Sequence, residues 1–214
     1  MTTAIQQHVG EIQRALREAE IDGWLFYDFR GSDPLAYRIL QLDPTLHVTR
    51  RWYYWIPAQG VPVKLLHRIE PHVLDKLPGQ ADHYVSWEQQ RQILARLLTG
   101  SLRVAMQYSP LNAVPYVSRV DAGTIELIRS YNVEVVSSAD LIQRFEARWT
   151  DRQLESHQFA ATALRRIVDQ TFGEVHEAMT QGRSLTEYGV QQFIVARIHE
   201  AGMVTSSAPI AAVN

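Results

Sequence analysis

Ile5, Val9, Ile12 and Leu16 recur at spacings of four, three and four, which puts them on one face of an amphipathic helix. Asp22-Gly23 closes that helix, and the apolar run Trp24-Leu25-Phe26-Tyr27 predicts a short buried strand. Asp33-Pro34 opens a second helix, with Ser32 or Asp33 as its cap and proline in its first turn. Residues 52–56 and 61–67 are rich in aromatic and branched side chains around the turn chemistry of Pro57-Ala58-Gln59-Gly60, so they predict a β-hairpin. Tyr84-Val85 reads as another brief strand. Ser86 and Gln89 have the spacing of a capping box ahead of the stripe Ile93, Leu94, Leu97 and Leu98, which Gly100 ends. Strands over 103–108 and 133–136 then alternate with helices over 123–131 and 140–148. Strand and helix in alternation give an α/β domain, and the hairpin makes its sheet mixed.

The pattern changes near Trp149-Thr150. Thr150 and Gln153 form a second capping box. Leu164, Ile167, Val168, Thr171, Phe172, Val175, Ala178 and Met179 then hold one face of a long helix. Gln181-Gly182 ends it, and Ser184 or Thr186 caps a further helix with the stripe Val190, Phe193, Ile194 and Ile198. After Ala201-Gly202, the apolar run 209–213 predicts the first strand of another structure. The expected division is therefore 1–148 and 149–214.

Composition narrows the function classes. The 214 residues are 46% hydrophobic and 21% charged, as in ordinary soluble domains. A formal net charge of −2 argues against a polyanion-binding protein. The absence of cysteine removes disulfides, thiolate nucleophiles and cysteine zinc sites, and fits a reducing compartment. The N-terminus lacks the apolar core of a signal peptide. No stretch reaches the roughly 18 apolar residues of a membrane span. The expected location is the cytoplasm.

Recognisable chemistry is sparse. The eight histidines form no His-Glu-x-x-His motif, and His72 with Asp75 is only a two-ligand pair. No nucleophile elbow or glycine-rich phosphate loop is present. The most unusual stretch is His47-Val48-Thr49-Arg50-Arg51-Trp52-Tyr53-Tyr54-Trp55. Basic residues beside aromatics can bind single-stranded nucleic acid, but period-two alternation favours a strand covered on both faces. His47, Arg50, Arg51 and Tyr53 are the candidates for a dimer edge or a substrate-access surface, because Arg, Tyr and Trp are enriched at interface hot spots.

The stretch RWTDRQLESHQFAATALRRIVDQTF resembles the first catalytic-domain helix of the prolidase, Xaa-Pro aminopeptidase and creatinase superfamily. GRSLTEYGVQQFIVARIHEAG is similar to that family's second helix, with Thr186-Glu187 at the usual place, and PIAAVN to the strand that follows. GSDPLAYRIL resembles the segment before the aromatic strand of its N-terminal domain. The resemblance implies a creatinase-like N-terminal domain over 1–148, with a mixed sheet and flanking helices. It also implies that 149–214 begins an incomplete pita-bread domain with two helices and one strand. It further implies a metallopeptidase acting on proline-containing peptides at Xaa-Pro bonds, a homodimer, and two divalent ions (Mn, Co or Zn). Two Asp, one His and two Glu would hold those ions beyond Asn214. The expectation is that the 214-residue chain stops short of its active site, with no catalytic or metal residue of its own. The alternative of the same architecture is a non-catalytic peptide- or protein-binding module, without nucleic-acid or membrane partners.

Overall fold

Trp24, Phe26, Trp52, Tyr54 and Ile56 face one way across a sheet, while Leu25, Tyr27, Tyr53 and Trp55 face the other. Both sets are buried, so the sheet is covered on both sides and the alternation carries large apolar residues throughout. The computed structural model describes residues 3–100 and 102–213. The chain divides into two compact units, 1–148 and 149–214.

In the first unit the strands are β1 (Gly23–Asp28), β2 (Trp52–Pro57), β3 (Val63–His67), β4 (Gln80–Tyr84), β5 (Arg103–Met106) and β6 (Glu134–Ser137). Their order across the sheet is β4-β3-β2-β1-β5-β6. β2 is antiparallel to β1 and β3, while β3–β4, β1–β5 and β5–β6 are parallel. Helices α1 (Ala4–Glu18), α2 (Pro34–Ile39) and α5 (Ala139–Glu146) cover one face; α3 (Trp87–Leu97) and α4 (Ala122–Arg129) cover the other. Asp33, not Ser32, caps α2. At α3, Ser86 Oγ accepts from Gln89 N, but the Gln89 amide oxygen accepts from Val85 N, one residue earlier than a capping box requires. Gly23 has to be glycine because a Cβ there would run into the Trp55 ring.

The expected strand at Tyr84-Val85 begins earlier, at Gln80. Its first residues are polar because β4 is the outer strand, beyond β3. The turn into it is made by Gly79 at φ 116°, where a Cβ would strike the Pro62 carbonyl. The β3–β4 connection buries Leu74 and Leu77. The buried ammonium of Lys64 donates to the carbonyls of both, at 3.4 and 2.9 Å.

In the second unit, α6 (Asp151–Thr180) begins with a complete Thr150–Gln153 capping box. α7 (Glu187–Glu200) is capped by Thr186. The two helices pack on one another, burying Ala163, Ile167, Ala178 and Ile198. Of the rest of the expected stripes, Thr171, Val175, Val190, Phe193 and Ile194 are half-buried, while Leu164, Val168, Phe172 at 72% and Met179 at 75% stay exposed. The expected strand at 209–213 is not formed: among the described residues no strand lies beside this segment to share a ladder. Side chains of α7 hold it instead, with Gln191 Nε2 donating to Pro209 O at 2.8 Å and Glu187 accepting from Val213 N at 2.8 Å. Asn214, which closes the PIAAVN stretch, lies outside the described residues.

Candidate functional site

The four singled-out residues part company in the fold. His47 and Arg50 lie exposed on the segment between α2 and β2. Arg51 is exposed at the entrance to β2, and Tyr53, two residues on, is 1% exposed within it. Alternation puts Arg51 and Tyr53 on the same side, and they line one crevice of about 440 Å³. Tyr27 of β1, Ser32, Arg91 of α3, Arg119 and Asp121 of the loop before α4, and Thr124 of α4 complete its polar lining. Phe29 and Leu127 add apolar wall. Trp52 to Trp55 are all buried, so none of these rings is presented for base stacking.

The crevice opens beside the C-terminal end of β1, on the α3–α4 face of the sheet. β1 is the strand from which neighbours are laid down in both directions, β2 on one side and β5 on the other. Open α/β sheets form ligand crevices at such switch points. Asp121 is already engaged. It caps α4, accepting from Thr124 N at 2.8 Å and from the Thr124 hydroxyl at 2.7 Å. Those Thr124 bonds, opposed by burial, hold its carboxyl below the usual range. The Arg119 Nε donates to the Tyr116 carbonyl at 3.1 Å, and Arg91 lies over the Trp87 ring at 5.0 Å. Among the described residues none of Arg51, Arg91 and Arg119 is within ion-pair distance of a carboxylate.

Beneath the β1–α2 loop sits a polar cluster that the spacing did not single out as chemistry. Asp28 is fully buried and accepts from Gly31 N and Asp33 N, each at 3.0 Å, and from the Tyr37 hydroxyl at 3.2 Å. Asp33 is also fully buried; one carboxyl oxygen accepts from Ala36 N at 3.0 Å and the other has no partner. Burial raises the Asp33 carboxyl to about 7; the Ala36 N–H opposes this, and the neighbouring Asp28 adds to it. The sequence signal for this pair was only a helix cap.

Elsewhere, His72 Nδ1 and Asp75 Oδ2 are 2.8 Å apart on an exposed connector. Among the described residues no three His, Cys, Asp or Glu side chains converge to form a metal-binding group. No helix of the described residues is long and apolar enough to cross a membrane. Within the second unit, α6, α7 and the 209–213 segment enclose an apolar trough of about 730 Å³.

No family model matches the chain, and no curated protein sequence does. Solved structures do. A dipeptidase PepE from Mycobacterium ulcerans superposes with a TM-score of 0.56 at 17% identity, covering 94% of this chain and 50% of that one. A prolidase from Thermococcus sibiricus gives 0.55 at 14%, covering 92% and 50%. An Xaa-Pro dipeptidase from Bacillus anthracis gives 0.51 at 11%, covering 92% and 49%. The chain therefore shares its fold with prolidase and Xaa-Pro dipeptidase structures, and it spans about half their length.

Proposed function

We propose that residues 1–148 are the N-terminal domain, and 149–214 the opening of the catalytic domain, of a cytoplasmic metal-dependent exopeptidase that cleaves Xaa-Pro bonds. The observation that supports this is a likeness of fold running through more than nine-tenths of the chain onto enzymes named for that reaction. The role proposed for this portion is to shape access to the active site and to form dimer contacts, with His47, Arg50 and Arg51 presented outward and Tyr53 packed beneath Arg51.

The two divalent ions implied by the family resemblance would activate a water molecule. The donors described here do not fit such a pair, since no three of them converge. No step of hydrolysis is therefore assigned to this chain. The second reading is a binding module of the same architecture that holds peptides without cleaving them, and both readings are compatible with the donors of these residues.

The parent protein decides between the readings. On the enzyme reading, it hydrolyses Xaa-Pro dipeptides when supplied with Mn, Co or Zn, and the 214-residue chain alone does not. Arg51→Ala in the parent then raises KM or weakens dimerisation, with unchanged circular dichroism. A metal-loaded parent that binds such peptides without turnover overturns the enzyme reading. Wild-type kinetics and sedimentation for Arg51→Ala would remove that residue from the proposed surface.

A further inference from the structure

We propose that the crevice lined by Arg51, Arg91, Arg119 and Tyr53 is a binding site for a small dianion, a phosphomonoester with an apolar body. The inference stands on the first unit alone and does not depend on the peptidase reading.

The first observation is charge. Three guanidinium groups line the crevice against one carboxylate, Asp121, which is already spent on capping α4. The lining therefore carries a surplus of two positive charges in a chain whose overall charge is −2. Guanidinium forks match the oxygens of phosphate and carboxylate bidentately. A surplus of two selects a phosphomonoester, which carries about −1.5 to −2 at neutral pH, over a carboxylate, which carries −1.

The second observation is independent of charge. Tyr53 lines the same crevice, its side chain is 1% exposed, and its buried hydroxyl has no hydrogen-bond partner. A buried donor left without an acceptor is costly, and an oxyanion in the crevice supplies the acceptor. Burial, chiefly, pushes the phenol well above its ordinary range, so it stays protonated and able to donate. The α4 N-terminus takes no part, because Asp121 already occupies it. Phe29 and Leu127 provide the surface for the ligand's apolar body.

The test is calorimetric titration of the full 214-residue chain with phenyl phosphate, phenylacetate, inorganic phosphate and benzyl alcohol. Phenyl phosphate is expected to bind at least tenfold more tightly than phenylacetate or inorganic phosphate, and benzyl alcohol not measurably. Arg51→Ala and Arg119→Ala should each weaken phenyl phosphate roughly tenfold or more, as loss of a charged hydrogen bond does. Tyr53→Phe keeps the packing and separates the site from a structural role. It should leave the free protein as stable as the wild type or more so, because it removes an unpartnered hydroxyl, while weakening phenyl phosphate severalfold. Phenylacetate binding as tightly as phenyl phosphate overturns the dianion assignment, and inorganic phosphate doing so overturns the apolar body. No binding of phenyl phosphate at millimolar concentration, or affinity unmoved by all three substitutions, overturns the site.

Discussion

Asp33 is the group through which pH should act most strongly on the first unit. Its carboxyl is fully buried, has one free oxygen, and is raised from 3.8 to about 7. Around it stand Asp28, whose charge disfavours ionisation, and Arg119, whose charge favours it. A carboxyl raised on folding binds its proton more tightly in the native state. Its contribution to stability is therefore fully present below pH 3.8 and is lost as pH rises through about 7. At about 1.4 kcal/mol per pH unit, the wild-type chain loses about 2–3 kcal/mol from this group between pH 5 and pH 8. Asp33→Asn removes the titration and keeps the oxygen that caps α2 through Ala36 N. Urea unfolding followed by the fluorescence of Trp24, Trp52 and Trp55, all buried in this unit, measures both proteins across that range. The stability of the variant relative to the wild type should climb by about 2–3 kcal/mol from pH 5 to pH 8. Asp33→Ala, which also loses the cap, should lie about 1 kcal/mol below Asp33→Asn at every pH. Parallel pH profiles for wild type and Asp33→Asn, or a gain that appears on acidification, would refute the reasoning.

Lys64→Met should cost about 2 kcal/mol in urea unfolding, because the Leu74 and Leu77 carbonyls lose their donor in a buried connection; an unchanged midpoint would mean water replaces the ammonium at no cost. Limited proteolysis should cut first between Trp149 and Gly202 and leave a resistant fragment of about 1–148, since the second unit leaves Leu164, Val168, Phe172 and Met179 of its apolar stripe uncovered; equal resistance of both units in a monomeric chain would count against this. Phe172→Ser with Met179→Ser should reduce concentration-dependent self-association in sedimentation, because both side chains are more than two-thirds exposed; unchanged association would place the contact elsewhere.

Much of the fold is written in local signals. The caps at Asp33, Thr150 and Thr186, the turn at 57–60 and the 3.6-residue stripes each report on their neighbours in sequence, and each is found within a residue or two of its expected place. What local signals do not carry is pairing. β4 opens on Gln80, Ala81, Asp82 and His83 because one of its sides faces no strand, so it lacks the apolar pattern of the inner strands. The run at 209–213 has that apolar pattern and no ladder, because a strand is defined by its partner and not by its composition. The same limit applies to the site. Arg51 and Tyr53 are two residues apart and could be noticed together, whereas Arg91 and Arg119 reach them only through the parallel placement of β5 and the packing of α3 and α4 on one face.

The trough of the second unit and the crevice beside β1 differ in kind, and size alone would choose between them wrongly. The trough of the second unit is the larger, at about 730 Å³ against about 440 Å³. Its walls are mostly the apolar stripes of α6 and α7, and on α6 Leu164, Val168, Phe172 and Met179 remain exposed. Apolar surface of that sort is non-directional; it asks to be covered and does not specify by what. The smaller crevice presents directional groups with unmet requirements: guanidinium forks without carboxylates and a phenol hydroxyl without an acceptor. Directional groups discriminate between ligands, because a wrong partner leaves them buried and unsatisfied. Chemical specificity in this chain is therefore sought at the end of β1 and the entrance of β2, while the trough is a matter of packing.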